Sequence, residues 1–309
     1  MANPSVTILL PAYNEEKSLE IVVGGVRDAL ADFARDYEIL VVDDGSSDRT
    51  AAVAAASGAR VVTHPRRRGA GAAIKTGLLE ACADTVLLMD SDASYPPAAI
   101  PGLLAVLDEA RQVVGARKTE AGTSPILRAA VKRALRLLGE FLIRQPIPDL
   151  NSGMRAFRRR DALAFLHLLP DGHSCVSTLT LSFLGMGLPV RFEPIEYFAR
   201  VGKSKFRIVS DTLRFLVQIV RTVTYFAPLR VFLTASAGFF LAGMIKSAAD
   251  VFRKGGLEES DIILFTFAAA TGMMGLLADL MVRQSKKDIL RELFPESVRG
   301  RVTPDEPPG

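Results

Sequence analysis

Two stretches near the C-terminus, Val231–Ile245 and Ile262–Ala278, run for fifteen and seventeen residues without a charged side chain. A helix that crosses the hydrocarbon core of a bilayer needs about 20 apolar residues. The first run reaches that length by extending to Ala249, which adds only Lys246, whose long stem can carry its ammonium to the interface. The second extends through Asp279 to Val282. Their flanks are unequal: Arg230 precedes the first run, and Arg283, Lys286, Lys287 and Arg291 follow the second. The connector Lys246–Asp261 carries three basic and four acidic residues. Positive-inside asymmetry therefore predicts a transmembrane hairpin, helices at about 229–249 and 261–282, with both chain ends in the cytoplasm. The competing reading is a helical hairpin buried inside a soluble protein.

The preceding part of the chain has another texture, so the 49% apolar and 23% charged content averages a lipid-soluble and a water-soluble part. Short apolar runs at Val6–Leu10, Glu38–Val42, Arg60–Thr63, Thr85–Met89 and Gln112–Gly115 alternate with helical spacing at Lys17–Phe33, Asp48–Ala56, Gly71–Cys82 and Pro97–Glu109. That alternation predicts right-handed βαβ units and an α/β fold with a mainly parallel sheet. Two cysteines, Cys82 and Cys175, and three histidines supply neither a disulfide framework nor a zinc-ligand spacing. The start of the chain has no basic segment before its short apolar run, so this part is expected to fold in the cytoplasm. With a net charge of only +4, no nucleic-acid partner is expected.

Two further segments join basic and apolar residues at helical spacing. In Ser124–Gln145, Arg128, Lys132, Arg133, Arg136 and Arg144 interleave with large apolar residues, and Lys205–Phe226 repeats the texture. Arg200–Arg230 holds seven basic residues against one acidic residue. A core-facing helix with a solvated basic side explains either segment alone. Two of them, the second leading into the hairpin, favour a surface lying on anionic lipid headgroups.

Ligands of parallel α/β sheets sit beyond the carboxyl ends of the strands, and three polar clusters fall there. Pro11-Ala12-Tyr13-Asn14-Glu15-Glu16 closes the first strand, leaving free backbone N–H groups and a carboxylate. Asp43-Asp44-Gly45-Ser46 closes the second with two carboxylates, good acceptors for base N–H and ribose hydroxyl groups. Asp90-Ser91-Asp92 closes the fourth, where two carboxylates spaced by two can converge on Mg2+ or Mn2+ that arrives with substrate phosphates. Each cluster alone is ordinary turn or cap chemistry. Their succession on one sheet is not.

These residues, with Gly115-Ala116-Arg117, Asp149-Leu150-Asn151-Ser152-Gly153-Met154-Arg155 and Arg200-Val201-Gly202-Lys203-Ser204-Lys205, resemble family-2 glycosyltransferases of GT-A fold. Within that family the chain is most similar to polyprenyl-phosphate glycosyltransferases of the dolichol-phosphate mannose synthase type, over roughly residues 5–225. The resemblance implies a nucleotide site lined by Pro11, Tyr13, Glu15, Asp43 and Asp44. It implies a metal shell of Asp90, Asp92 and Ser94, the last standing where many relatives have glutamine. Asp149 and Arg155 match positions nearest the transferred sugar, so Asp92, Asp149 and Arg155 are the expected catalytic set. Arg117, Arg128, Arg133, Arg200, Ser204 and Lys205 match an acceptor-phosphate cluster.

The expected layout is a GT-A catalytic domain over 1–204, amphipathic interface helices over 205–227, the hairpin over 228–282, and a basic cytoplasmic tail over 283–309 with a disordered end. The expected activity is inverting transfer of a sugar from a UDP- or GDP-linked donor to a polyprenyl monophosphate, at the cytoplasmic face of the inner membrane. Self-association stays open. An acceptor phosphate is already ionised near neutrality, its second pKa being about 6, so transfer needs cationic grip and alignment more than a strong base. The alternative is a membrane-anchored family member acting on a soluble or saccharide acceptor. A processive polysaccharide synthase of the same fold would carry a Gln-x-x-Arg-Trp motif, and this chain has no tryptophan.

Overall fold

The computed structural model describes residues 5–32, 36–118, 140, 146–172, 174–199, 217–218, 220–222 and 224–293. Two compact units divide the chain, Met1–Phe141 with Gln145–Ile219, and Leu142–Arg144 with Val220–Gly309. Apart from residue 140, the basic segment 124–145 lies outside the described residues, as do residues 205–216, whereas the described residues of 217–226 are helical.

The first unit is built on a seven-stranded sheet. In chain order its elements are β1 (Val6–Ala12), α1 (Leu19–Ala29), β2 (Tyr37–Asp43), α2 (Thr50–Ala56), β3 (Arg60–Thr63), α3 (Ala70–Glu80), β4 (Thr85–Leu88) and α4 (Ile100–Val106). There follow β5 (Gln112–Arg117), β6 (Arg155–Arg158), α5 (Arg159–Ala164), α6 (Cys175–Gly185) and β7 (Val190–Ile195). The order across the sheet is β3-β2-β1-β4-β6-β5-β7. The central strand β1 reads as one apolar run because both its faces are covered: Val6, Ile8, Leu9 and Leu10 are all buried. Leu19, Val22, Val23 and Val26 form the buried stripe of α1. The five expected strands all occur, and β1 pairs in parallel with both β2 and β4.

Two strands escape the periodicity. In β6, Arg-Ala-Phe-Arg is too short and too charged to read as a core strand, yet Arg155, Ala156 and Phe157 are buried between β4 and β5. It runs antiparallel to both, with Leu88 opposite Arg155 and Val114 opposite Arg155 on the other side. Edge strand β7 pairs in parallel with β5 and tolerates Pro194 for that reason. The reversal of β6 has one consequence for the site. The chain enters β6 at the edge where β1, β2, β4 and β5 end, so residues 149–154 arrive beside the three polar clusters.

The second unit contains two long helices, α7 (Pro228–Lys254) and α8 (Glu259–Leu293). Proline at the first turn of α7 loses no hydrogen bond, and Gly255 ends the helix in the left-handed region at φ +76°. Pro228–Arg253 and Glu259–Lys287 are long and apolar enough to cross a membrane. Phe252, Met281 and Leu280 are 91%, 76% and 65% exposed, which distinguishes these helices from the core of a soluble protein. The helices are keyed together by Ser236, whose hydroxyl donates to the Ala268 carbonyl at 2.7 Å, and by Phe240 against Phe265 at 5.5 Å. Lys246 sits among the carboxylates of the connector. Its ammonium donates to Asp250 one turn on and to Asp261 of α8 at 3.0 Å, so a local ion network satisfies it.

Candidate active site

The first two loops of the sheet edge are zipped together. Asn14 adopts the left-handed conformation at φ +52°, which asparagine tolerates better than most residues. Its N–H donates to Ser46 Oγ at 2.9 Å, and its side-chain oxygen accepts the Ser47 N–H at 2.9 Å. The Glu15 N–H donates to Thr50 Oγ1 at 2.8 Å, and the Glu15 carboxylate accepts from Ser18 Oγ at 3.1 Å. Pro11, half-buried, offers its carbonyl to Ser91 Oγ at 2.8 Å, which ties the end of β1 to the Asp90 loop. Tyr13 stands half-buried with the Arg67 guanidinium 4.3 Å from its ring centroid. Pro11, Tyr13, Glu15 and Asp43 are thus gathered at the carboxyl ends of β1 and β2 and on the loop after β1.

The two aspartates after β2 have different surroundings. Asp43 is 2% exposed and one of its oxygens accepts the Ser46 N–H at 3.1 Å together with the Ser46 hydroxyl. Asp44, expected at the nucleotide, is hydrogen-bonded within the protein. Its carboxylate faces inward, taking His64 Nδ1 at 2.8 Å and the backbone N–H groups of Arg68 and Gly69 at 2.8 and 2.7 Å. It therefore holds the 64–69 loop. Gly45 completes the turn at φ +71°, where a Cβ would lie 2.6 Å from the Arg66 carbonyl carbon. Only glycine lets that loop pack so closely.

Beyond β4, Ala93 sits in the left-handed region at φ +61°, an unusual conformation for alanine and one that clusters at functional loops. Asp92 is 5% exposed, and its Oδ1 accepts the Ser94 N–H at 3.1 Å as well as the Ser94 hydroxyl. Ser94 is fully buried and donates that hydroxyl to Asp92, which orients the carboxylate. Asp90 lies against Gly153, where a Cβ would stand 2.2 Å from Oδ2 and 2.5 Å from the carboxyl carbon. Among the described residues no cluster of three His, Cys, Asp or Glu suited to a metal occurs. Two hard carboxylates at a strand end suit a dication that takes its other ligands from phosphate and water, and do not make an all-protein cage.

Arg117, at the end of β5, meets Asp149 as a fork. Nε donates to Oδ2 at 2.7 Å, Nη2 to Oδ1 at 2.9 Å, and the Arg117 N–H to Oδ2 at 3.2 Å. The Asn151 N–H adds a bond to Oδ1 at 3.0 Å. Burial alone would push the Asp149 carboxyl up, but the Arg117 hydrogen bonds and charge with the two backbone donors hold it below the ordinary carboxylate range. Arg155, expected in the catalytic set, is built into the fold. It is fully buried, and its guanidinium donates to the Val176 carbonyl, to Thr180 Oγ1 at 2.7 Å and to the Ser152 carbonyl. Burial lowers its pKa to about 10, so it stays charged. Arg155 fastens the 152–154 turn to α6.

Arg128, Arg133, Arg200, Ser204 and Lys205 lie outside the described residues. Four residues of the site carried no expectation. Arg67 covers Tyr13, Gly153 seats Asp90, Tyr95 accepts the Gly153 N–H at 2.6 Å, and Tyr197 lies under the Arg117 guanidinium. Gly153 stood within a matched motif, which was the available signal. The tyrosines had none, because their partners come from other strands.

Residues 7–164 match the glycosyl transferase family 2 domain, and residues 227–283 match the GtrB C-terminal hairpin. The chain is 27% identical over 294 residues to undecaprenyl-phosphate 4-deoxy-4-formamido-L-arabinose transferase of Yersinia enterocolitica, covering 90% of this chain and 88% of that one. The fold is similar to glucosyl-3-phosphoglycerate synthase of Mycobacterium tuberculosis solved with Mn2+ and UDP-glucose. There the TM-score is 0.55 and the identity 25%, over 72% of this chain and 78% of that one. Another structure of that synthase gives a TM-score of 0.53 at 26% identity, over 72% and 80% of the two chains. The mostly parallel sheet is accordingly the GT-A fold.

Proposed function

Since the chain belongs to glycosyl transferase family 2, we propose that it transfers a sugar from a nucleoside-diphosphate donor to a polyprenyl monophosphate, at the cytoplasmic face of the membrane that its hairpin spans. The observation that carries this reading is the state of Asp149. A sugar hydroxyl acceptor needs a base poised near neutrality. The carboxylate nearest the expected sugar position is instead locked in the Arg117 fork and held well below that range. A phosphate monoester, already ionised, asks for a guanidinium and not for a base. The name of the Yersinia relative supports the same acceptor class.

The residues take these roles. Pro11, Tyr13, Glu15 and Asp43 line the nucleotide, with Asp43 accepting a base or ribose proton donor. Asp90 and Asp92 are the residues that would hold Mg2+ or Mn2+, and a dication there would supply Lewis-acid stabilisation of the diphosphate leaving group, worth several kcal/mol by order of magnitude. Ser94 holds the Asp92 carboxylate in place. Arg117 grips the acceptor phosphate and Asp149 keeps the arginine's plane fixed, with Arg128, Arg133, Arg200, Ser204 and Lys205 completing the cationic port. The acceptor oxygen attacks the anomeric carbon in line, and the bond to the diphosphate breaks with its electron pair leaving on phosphate. One displacement inverts the anomeric centre, and no proton has to move.

The hairpin then serves access. Drawing a polyprenyl chain from the bilayer costs ~0.8 kcal/mol for each exposed CH2, so the site must come to the lipid. The test is full-length enzyme in liposomes with polyprenyl phosphate and a panel of radiolabelled UDP-, GDP- and TDP-sugars. Label in a butanol-extractable, mild-acid-labile lipid is expected with one donor class. Label confined to a water-soluble product would replace this reading with transfer to a soluble acceptor.

A further inference from the structure

Between the Asp90 loop and the Arg117–Asp149 pair stand two tyrosines that hold no ligand and move no proton in the reading above. Tyr95 is 3% exposed, and its hydroxyl accepts the N–H of Gly153, the residue on which the Asp90 carboxylate rests. Burial first, and the neighbouring Asp90 charge second, push the Tyr95 phenol up, so it stays neutral. Its ring meets Tyr197 edge to face, centroids 5.1 Å apart at 66°. The Tyr197 ring in turn carries the Arg117 guanidinium, whose carbon is 5.1 Å from the centroid. The Phe198 N–H donates to the Ser94 carbonyl at 2.9 Å, so the segment bearing Tyr197 hangs from the loop that also orients Asp92.

Arg117 is therefore fixed in two directions. The Asp149 fork sets its in-plane orientation, and the Tyr197 ring supports its face. We propose that Tyr197, braced by Tyr95, is a positioning residue that sets the acceptor-phosphate grip of Arg117 relative to the donor's carboxylate loop. The proposal rests on the reading that Arg117 binds the acceptor phosphate. Gly153, Tyr95 and Tyr197 form a packed chain that joins Asp90 on the donor side to Arg117 on the acceptor side. Its ring faces matter through their quadrupole and shape. An aliphatic side chain of similar bulk fills the space but leaves the guanidinium unsupported.

The experiment is steady-state kinetics of the full-length enzyme in liposomes, with donor and polyprenyl phosphate varied separately, and thermal melting of each variant. Tyr197→Leu is expected to raise the acceptor KM about tenfold while the donor KM stays within about twofold. Tyr197→Phe keeps the ring and is expected to rescue the acceptor KM to within about twofold. Tyr197→Met takes the place of the leucine variant should that one melt early. A phenylalanine variant as impaired as the leucine variant at equal melting temperature overturns the proposal. So does a leucine variant whose donor KM rises as much as its acceptor KM. Arg117→Met separates the proposal from its premise. An unchanged acceptor KM there removes the acceptor role of Arg117 itself, whereas a raised one beside a silent Tyr197→Leu removes only the tyrosine's part.

Discussion

Replacing Gly153 with alanine would place a methyl carbon 2.2 Å from Asp90 Oδ2 and 2.7 Å from Oδ1. Gly153 is not among the residues at positive φ, so alanine meets no backbone strain and the effect comes from this contact alone. Restoring an ordinary non-bonded separation needs a shift of about 1 Å in the carboxylate or the turn. The turn resists, because its N–H is held by Tyr95 at 2.6 Å and its neighbour Ser152 by Arg155. The carboxylate has more freedom and moves. A misplacement of about 1 Å at a catalytic group costs about 10²-fold in rate, or ~2.7 kcal/mol of activation free energy. Overpacking adds about 1–3 kcal/mol of lost stability. The assay is kcat under saturating donor and acceptor, together with the Mn2+ concentration for half-maximal rate, which is expected to rise. An alanine variant with unchanged kcat and unchanged metal requirement would refute the placement of Asp90 at the reacting centre.

Asp44→Ala strips three donors, His64 and the N–H groups of Arg68 and Gly69, of their buried acceptor, and unmet donors cost about 1–3 kcal/mol each. A lowered denaturation midpoint with donor binding weakened through the displaced 64–69 loop is expected in melting and nucleotide titration. Because the folded Asp149 carboxyl lies below its unfolded value of about 3.9, its ion pair stabilises fully above that pH and is lost as pH falls through the folded value. Asp149→Asn is thus expected to be less stable than wild type at pH 7, with the gap closing below pH ~4, as denaturation at a series of pH values would record. The acid limb of the rate profile is expected near the acceptor's second phosphate pKa, about 6, and to persist in that variant. Chelation with EDTA is expected to stop transfer, with Mn2+ or Mg2+ restoring wild type but not Asp92→Ala, measured as label in lipid.

The parallel half of the sheet was legible because β1, β2 and β4 are buried on both faces and read as unbroken apolar runs. Residues at their ends are local to those runs, so the sequence alone places Pro11, Asp43, Asp90 and Asp92 on one edge. β6 was illegible for a physical reason: Arg155 is a core residue, and its charge is satisfied by carbonyls and a hydroxyl that sequence cannot bring together. The same ambiguity governed Asp44, Ser94 and Lys246. A motif gives a residue's position on an edge, but which way its carboxylate, hydroxyl or ammonium turns depends on partners 20, 2 or 15 residues away. Tyr95 and Tyr197 lie furthest from legibility, being separated by about a hundred residues and joined only through packed rings.

The reversed strand β6 also has an evolutionary reading. The chain leaves the sheet at Arg117 and re-enters at Arg155 on the same rim, so everything between is an excursion that begins and ends beside the catalytic groups. Lengthening such an excursion is cheap, about 0.6 kcal/mol for each doubling, and disturbs no strand register. A lineage could exchange one lipid or soluble acceptor for another by rewriting that insert, while the donor half stays under constraint.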